Sequence, residues 1–323
     1  MSAPGPSLLP ISVVIPSRNR SGLLEQTLRA LLAQTALPSE VLVVDASDEE
    51  CFESNGTLVR QLATAAPVPI SQVKAARAGA APQRNQGVAA ARQPHLLFLD
   101  DDILMEPACL ALMLEALHSS PEVGGVSATI SNAAFRTPGA FSRSLFRWLD
   151  DGPRDDRGYA GRCLGPGLTT MPSAEDSLPG VNRVDWLITG CTLYRKAALP
   201  DPPFPSFFHD ASIGEDLALS LTIGRTWKLA NARTARVEHL GAHRDHSARR
   251  ECMLAEMELV NRHFIMTRVL HRKTFRDYVQ FLTIQFGLLP TTLIQKRGWR
   301  HFPARLWGRL RGLGRILEGE RPG

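Results

Sequence analysis

The sequence predicts an α/β domain, a mixed sheet flanked by helices over residues 8–245, followed by a basic helical extension over residues 246–323. Three observations carry this. Short apolar runs of strand length alternate with segments whose apolar residues repeat at helical spacing. The early strand-like runs end in polar clusters, as strands of an open parallel sheet do where they reach a ligand-binding edge. The charge also changes along the chain. From Ala242 onward 16 Lys/Arg stand against 7 Asp/Glu, and the residues before it carry 21 against 25. A slightly acidic body therefore precedes a strongly basic tail.

Taken in order, Ile11 to Pro16 reads as a buried strand ending in Ser17-Arg18-Asn19-Arg20. Leu23, Leu24, Thr27, Leu28, Leu31 and Leu32 then repeat at helical spacing, with Ser21 as N-cap. Pro38 falls in the connection to a second strand, Val41 to Val44, which ends in Asp45-Ala46-Ser47-Asp48. This is a β-α-β unit. A helix over Leu58 to Ala65 precedes a weaker strand, Pro69 to Val73. Gly79 opens a short helix through Ala91 that carries Arg84-Asn85-Gln86-Gly87. The strand His95 to Leu99 leads to three aspartates, then a helix from Pro107 to Leu117 and a strand from Val123 to Ile130.

Over residues 131–183 the periodicity dissolves into Gly, Pro, Arg and Asp, a length that suits a lid or acceptor loop. Val184 to Tyr194 reads as one strand interrupted by Gly190, and Gly214-Glu215-Asp216 opens a helix. A last strand near Ala235 to Glu238 runs into His239, His243 and His246. In the tail, Met253, Leu254, Met257, Val260, Phe264 and Ile265 form a helical stripe. The apolar stretch Tyr278 to Ile294 is broken by Gln280, Gln285 and Pro290 and falls short of a spanning helix. The final segment mixes arginines with Trp299, Phe302, Trp307 and Leu310, a composition suited to a membrane interface.

Bulk composition narrows the function. At 44% apolar and 21% charged the chain is an ordinary globular protein. Its five cysteines are an odd number with no C-x-x-C spacing, which argues against a disulfide framework and for a reducing compartment. No basic segment followed by an apolar core is visible at the N-terminus, so a cytoplasmic protein is expected. The basic tail seeks a polyanion; without a nucleic-acid module or an aromatic stacking platform, an anionic membrane surface is favoured over nucleic acid. That places the protein at the inner face of the cell membrane.

The chemistry centres on Asp100-Asp101-Asp102. Three carboxylates at the end of a buried strand repel one another, and Asp100 and Asp102 supply hard oxygen ligands for Mg²⁺ or Mn²⁺. A solvated acidic turn is the simpler alternative. Arg84 at a helix start could hold a phosphate, although the spacing is neither a Walker loop nor a dinucleotide fingerprint. Glu215 and Asp216 fit the positive end of a helix dipole, which leaves a catalytic role open for one of them. Cys191 reads as a small buried side chain rather than a nucleophile.

These segments, in this order, resemble the family-2 glycosyltransferases, inverting enzymes of the GT-A fold. Val13-Val14-Ile15-Pro16-Ser17-Arg18-Asn19 is similar to the family's opening strand, and Val43-Val44-Asp45-Ala46-Ser47 to its second. Arg84-Asn85-Gln86-Gly87 resembles the R-N-x-G segment, Asp100-Asp101-Asp102 the D-x-D motif, and Gly214-Glu215-Asp216 the E-D motif. The resemblance implies a nucleotide-diphosphate sugar donor held by Pro16, Arg18, Asp45, Arg84, Asn85, Asp100 and Asp101. It also implies a Mn²⁺ or Mg²⁺ ion on Asp102 and His239 (His243 second choice), an acceptor side at Trp186, Gly190 and Cys191, and Asp216 as general base supported by Glu215. After Asp45 the sequence departs from the usual D-D-G-S or D-N-G-S. The trailing region looks loosely like that of bacterial polysaccharide enzymes, rhamnosyltransferase-like members included. The implied activity is hexosyl or deoxyhexosyl transfer to a saccharide or lipid-linked acceptor, in cell-surface polysaccharide or glycolipid synthesis. Two alternatives stand beside it. A sugar-phosphate nucleotidyltransferase would carry a glycine-rich basic loop after its first strand, and here no glycine follows until Gly22. A non-catalytic membrane partner would have lost an acidic motif, and all three are present.

Overall fold

The computed structural model describes residues 8–132, 148–149, 161–166, 168–169, 180–208, 213–241, 247–287, 289–294 and 298–319. Most of the expected lid over 131–183, and His243, lie outside the described residues. Among the described residues the central sheet has nine strands. β1 (Leu8–Ser17), β2 (Leu37–Asp45), β3 (Ile70–Lys74) and β4 (His95–Leu99) run parallel in the order β3-β2-β1-β4. Beyond β4 lie β10 (Cys191–Arg195), β6 (Val123–Ile130), β11 (Lys228–His239) and β5 (Ile103–Met105). β10 is antiparallel to β4 and β6, and β9 (Val181–Val184) pairs antiparallel with β11. A separate two-stranded ribbon joins β7 (Cys163–Leu164) to β8 (Leu168–Thr169).

Both faces of the parallel strands are covered, which is why they read as continuous apolar runs. One face packs against α1 (Ser21–Leu32), α2 (Glu49–Ala65) and α4 (Cys109–His118), where Leu24, Leu28 and Leu31 are fully buried. Each such leucine contributes about 2 kcal/mol of burial. The other face carries α3 (Ala80–Ala90) and α5 (Glu215–Ile223) over an aromatic group of Phe98, Tyr194 and Phe204. α3 lies so close to the sheet that a Cβ on Gly87 would sit 2.2 Å from a Val14 methyl. Only glycine lets the helix approach this far.

Several boundaries differ from the sequence reading. Pro38 lies within β2, not in the connection. α2 begins nine residues earlier than its apolar spacing suggests, because the Asp48 side chain caps it by accepting from the Cys51 N–H. Within the run Val184 to Tyr194 only Val184, the last residue of β9, and Cys191 to Tyr194 of β10 are strand, and the two strands lie in different parts of the sheet. β11 is three times the expected length, and polar Asn231 and Arg233 hid its first half. β5 was not expected at all.

The tail is helical: α6 (Ala248–Phe264) continues through a π-helical turn over Ile265–Val269, followed by α7 (Phe275–Leu282) and α8 (Gly298–Leu317). Among the described residues no helix is long and apolar enough to cross a membrane. α8 crosses α6 at close range, since a Cβ on Gly308 would fall 2.1 Å from the Cys252 carbonyl oxygen. Its arginines face the acids of α6: Arg305 to Glu251 at 2.8 Å, Arg309 to Glu258 at 3.2 Å, and Arg311 and Arg315 to Glu256 at 3.1 Å. Much of the basic charge that the sequence assigns to an outside polyanion is thus matched within the tail itself.

Candidate active site

The carboxyl ends of β1, β2 and β4 meet at one edge of the sheet, with Ser17 in register with Asp45. Gln83, on the first turn of α3, fixes that edge: its amide donates to the carbonyls of Ser17 at 2.9 Å and Val44 at 2.7 Å. The turn Asp100–Asp102 links β4 to β5. β5 pairs antiparallel with β11 so that His239 stands opposite Ile103, and the Leu240 N–H donates to the Asp102 carbonyl at 2.9 Å. This short, unforeseen strand carries His239 to the aspartates across more than 130 residues of sequence. His239 Nε2 lies 3.2 Å from Asp102 Oδ1. Asn132 holds the histidine's backbone from both sides, donating to its carbonyl at 2.8 Å and accepting from its N–H at 3.2 Å.

Arg20, the residue before α1, reaches both Asp101 at 3.1 Å and Asp102 at 3.3 Å. Burial works to raise the Asp102 carboxyl, but the His239 hydrogen bond and the two positive neighbours outweigh it and hold the group below the usual carboxylate range. Asp102 and His239 offer two convergent donors, one hard oxygen and one imidazole nitrogen. Among the described residues no group of three or more such side chains gathers around a common point. A two-donor set fits a divalent ion that draws its remaining ligands from water and substrate phosphates, as Mg²⁺ and Mn²⁺ sites commonly do.

Asp101 points inward. The Ser17 hydroxyl donates to it at 2.8 Å, and burial pushes its carboxyl up to about 6 against the pull of Ser17 and Arg20. Its role is to tie the turn to β1. Asp100 faces the other way, one third exposed, and meets Arg84 Nη2 at 2.6 Å. The second arm of the same guanidinium, Nη1, lies 3.2 Å from Glu215 Oε1. Arg84 is 3% exposed at its side chain and sits 5.8 Å from the Phe204 ring centroid. Burial disfavours its charge, but Asp100 and Glu215 more than restore it. One buried cation therefore joins the aspartate turn to the start of α5.

At that start, Glu215 and Asp216 are adjacent. Burial first, and the Asp216 charge second, push the Glu215 carboxyl up to about 8. Burial also raises Asp216, whose Oδ1 accepts from the Leu217 N–H at 2.7 Å at the helix N-terminus. Glu215 is buried and Asp216 is partly buried, and burial raises both carboxyls, which titrate as a pair.

Other expected site residues stand differently. Asp45 is fully buried and accepts from the Ser47 N–H, Asn55 and Gln72 at 2.9, 2.7 and 2.9 Å. These three bonds let its carboxylate shape the turn after β2. Asn85 is likewise committed: its amide clamps the backbone of Phe204, donating at 2.7 Å and accepting at 3.0 Å. It positions the loop that carries Phe204. Pro16 is buried at the end of β1, and Arg18 is exposed at the rim. Gly190 accepts the Asp100 N–H at 2.8 Å, at the centre of the site. Trp186 is buried beside α5. The Cys191 side chain points into the α1–α4 side of the core, its Sγ 3.8 Å from Met113. Arg20, Gln83, Asn132 and Phe204 were not foreseen. A signal existed for Arg20 alone, as a second base in Ser17-Arg18-Asn19-Arg20.

Comparison with known proteins bears on this edge directly. Residues 12–157 match the family model described as glycosyl transferase family 2. Over that segment the chain is similar to the family 2 glycosyltransferases. An uncharacterized glycosyltransferase of Haemophilus influenzae is 29% identical over 113 residues, 35% of this chain and 36% of that protein. One from Nostoc is 31% identical over 114 residues, 35% of this chain and 34% of that protein. The chain thus spans about a third of the length of the curated relatives it matches. Among solved structures, a mannosyltransferase from Pyrobaculum calidifontis in complex with GDP-Man and Mn²⁺ aligns with a TM-score of 0.56 over 96% of this chain and 88% of that one. At 16% identity this likeness establishes the shared GT-A-type fold alone.

Proposed function

We propose that the protein transfers a sugar from a nucleotide-diphosphate donor to an acceptor hydroxyl, with inversion at the anomeric carbon. Residues 8–245 would be the transferase domain and 246–323 its helical extension. The observation that carries this reading is Arg84, a buried cation holding Asp100 of the donor-side turn and Glu215 of the acceptor-side helix in one hydrogen-bonded unit. The mannosyltransferase of like fold, solved with GDP-Man and Mn²⁺, supports a nucleotide-sugar donor and a divalent ion here.

The chain's own residues divide the work. Asp102 and His239 would hold Mn²⁺ or Mg²⁺, which when bound neutralises charge developing on the departing diphosphate. Asp100, fixed by Arg84 and by the Gly190 carbonyl, orients the nucleoside sugar. Glu215 is committed to Arg84, which leaves Asp216 for the proton transfer. Asp216 accepts the acceptor hydroxyl's proton as that oxygen attacks the face opposite the diphosphate. A raised carboxyl suits this task, because a general base works best when its pKa approaches the operating pH. One displacement gives an inverted product. We place the reaction in cell-surface polysaccharide or glycolipid synthesis, at the cytoplasmic face of a membrane, on the strength of the basic tail.

Asp216→Asn tests the assignment. Nucleotide-sugar binding is expected to persist while transfer falls by about two to four orders of magnitude, the range for a lost general base. Transfer within a few-fold of wild type would remove Asp216 from the role.

A further inference from the structure

The tail helices enclose a second site. α6, α7 and α8 surround a cavity of about 300 Å³ whose floor is Val260, Phe264 and Ile316 and whose rim carries Arg268 and Lys273. Charge separates this rim from the rest of the tail. The α8 arginines each face a glutamate of α6, including Arg315, which also borders the cavity. Arg268 and Lys273 are exposed, and among the described residues neither has a carboxylate partner. His263, which borders the same space, is held below its ordinary value by burial and by Arg268, so it adds polarity without charge at neutral pH. An apolar floor beneath two unmatched cations suits a molecule with an anionic head and a hydrocarbon chain.

The neighbouring helix points the same way. α7 is inverted relative to an ordinary surface helix: its inward face carries Asp277 and Gln280 beside Phe281, and its outward face carries Phe275, Tyr278, Val279 and Leu282. These four follow the i, i+3, i+4, i+7 spacing of one helical face, and Phe275 is 85% exposed. Tyr278 belongs to both the apolar face and the cavity wall, so the two surfaces are continuous. Arg276 is exposed on the same helix. A second copy of the chain would bring like charge to like charge, whereas an anionic bilayer is complementary.

We propose that this cavity binds the phosphate head and first hydrocarbon segment of an amphiphilic anion, delivered from a bilayer lying on the outward face of α7. The site is separate from the carboxyl edge of the sheet, so it stands or falls independently of the transferase reading.

The test reads binding by titration calorimetry and thermal melts on the full chain, with octyl phosphate below its micelle concentration, inorganic phosphate and 1-octanol as probes. Octyl phosphate is expected to bind and raise the melting temperature, since a ligand selective for the folded state must do so. Phosphate and octanol are expected to do neither. Arg268→Glu/Lys273→Glu, at two exposed positions, is expected to weaken octyl phosphate by about tenfold or more. Val260→Trp, which fills the floor and leaves the cations in place, is expected to weaken it similarly. Cosedimentation with phosphatidylcholine vesicles containing phosphatidic acid, but not with phosphatidylcholine alone, identifies the lipid as the source of the head group. Equal binding of inorganic phosphate, equal binding of octanol, unchanged affinity in both variants, or no cosedimentation with the acidic vesicles would overturn the proposal.

Discussion

Replacing Glu215 by Gln isolates the proton that the carboxyl pair retains. Glutamine preserves the carbonyl oxygen that meets Arg84 and removes the titration. In the folded protein the Glu215 carboxyl is pushed up to about 8 from an ordinary 4.5. Below 4.5 both folded and unfolded chains hold the proton. Between 4.5 and about 8 the folded chain holds more protons than the unfolded one, so rising pH must reduce stability across that window. The displacement corresponds to roughly 5 kcal/mol at most, an upper bound shared with Asp216 because the two titrate together. Urea denaturation from pH 5 to 9 reads this directly. Wild type is expected to lose stability relative to Glu215→Gln as pH rises, with near-equal values at pH 5 and the largest gap at pH 9. Parallel stability curves across the window would refute a proton held on Glu215, and with it the division of labour between the two carboxyls.

Two further outcomes follow from geometry already given. Asp102→Ala is expected to remove the Mn²⁺ dependence of nucleotide-sugar binding, leaving metal-independent binding weak; a calorimetric titration identical to wild type would take Asp102 out of the metal site. Gly308→Ala sets a methyl group 2.1 Å from the Cys252 carbonyl, so α8 must separate from α6. A loss of about 1–3 kcal/mol is expected from this overpacking. Faster amide exchange over 298–317 would mark it, and unchanged exchange would show that the crossing is looser than described.

The sequence made the parallel half of the fold legible because β1, β2 and β4 are buried on both faces. Their apolar runs therefore had no competing polar pattern. Legibility fails where one side of a strand is polar. The first half of β11, with Asn231 and Arg233, looked like loop, and the three residues of β5 are too short to carry a period. That gap mattered for the site, since β5 explains why His239 and Asp102 meet. Acidic motifs were readable as residue types, because few structural roles call for three clustered aspartates or an acidic pair at a helix start. What each side chain faces was not readable. Asp45 and Asn85 keep the expected positions, yet their polar atoms are committed to Asn55, Gln72 and the Phe204 backbone. Burial and partner choice depend on tertiary contacts that spacing does not encode. The tail shows the same limit: its basic charge was counted correctly, but the acids of α6 that match it could be assigned only once the helices were seen to cross.

The framework around the ionisable groups is made of neutral side-chain amides. Gln83 spans the ends of β1 and β2, Asn55 and Gln72 hold Asp45, Asn85 holds Phe204, and Asn132 holds the backbone of His239. None of these amides changes charge at any pH the protein meets. Asp101, Glu215 and Asp216 can therefore titrate while these amide bonds keep their strength. Acid and alkali would switch the electrical state of the cleft and leave this amide framework in place.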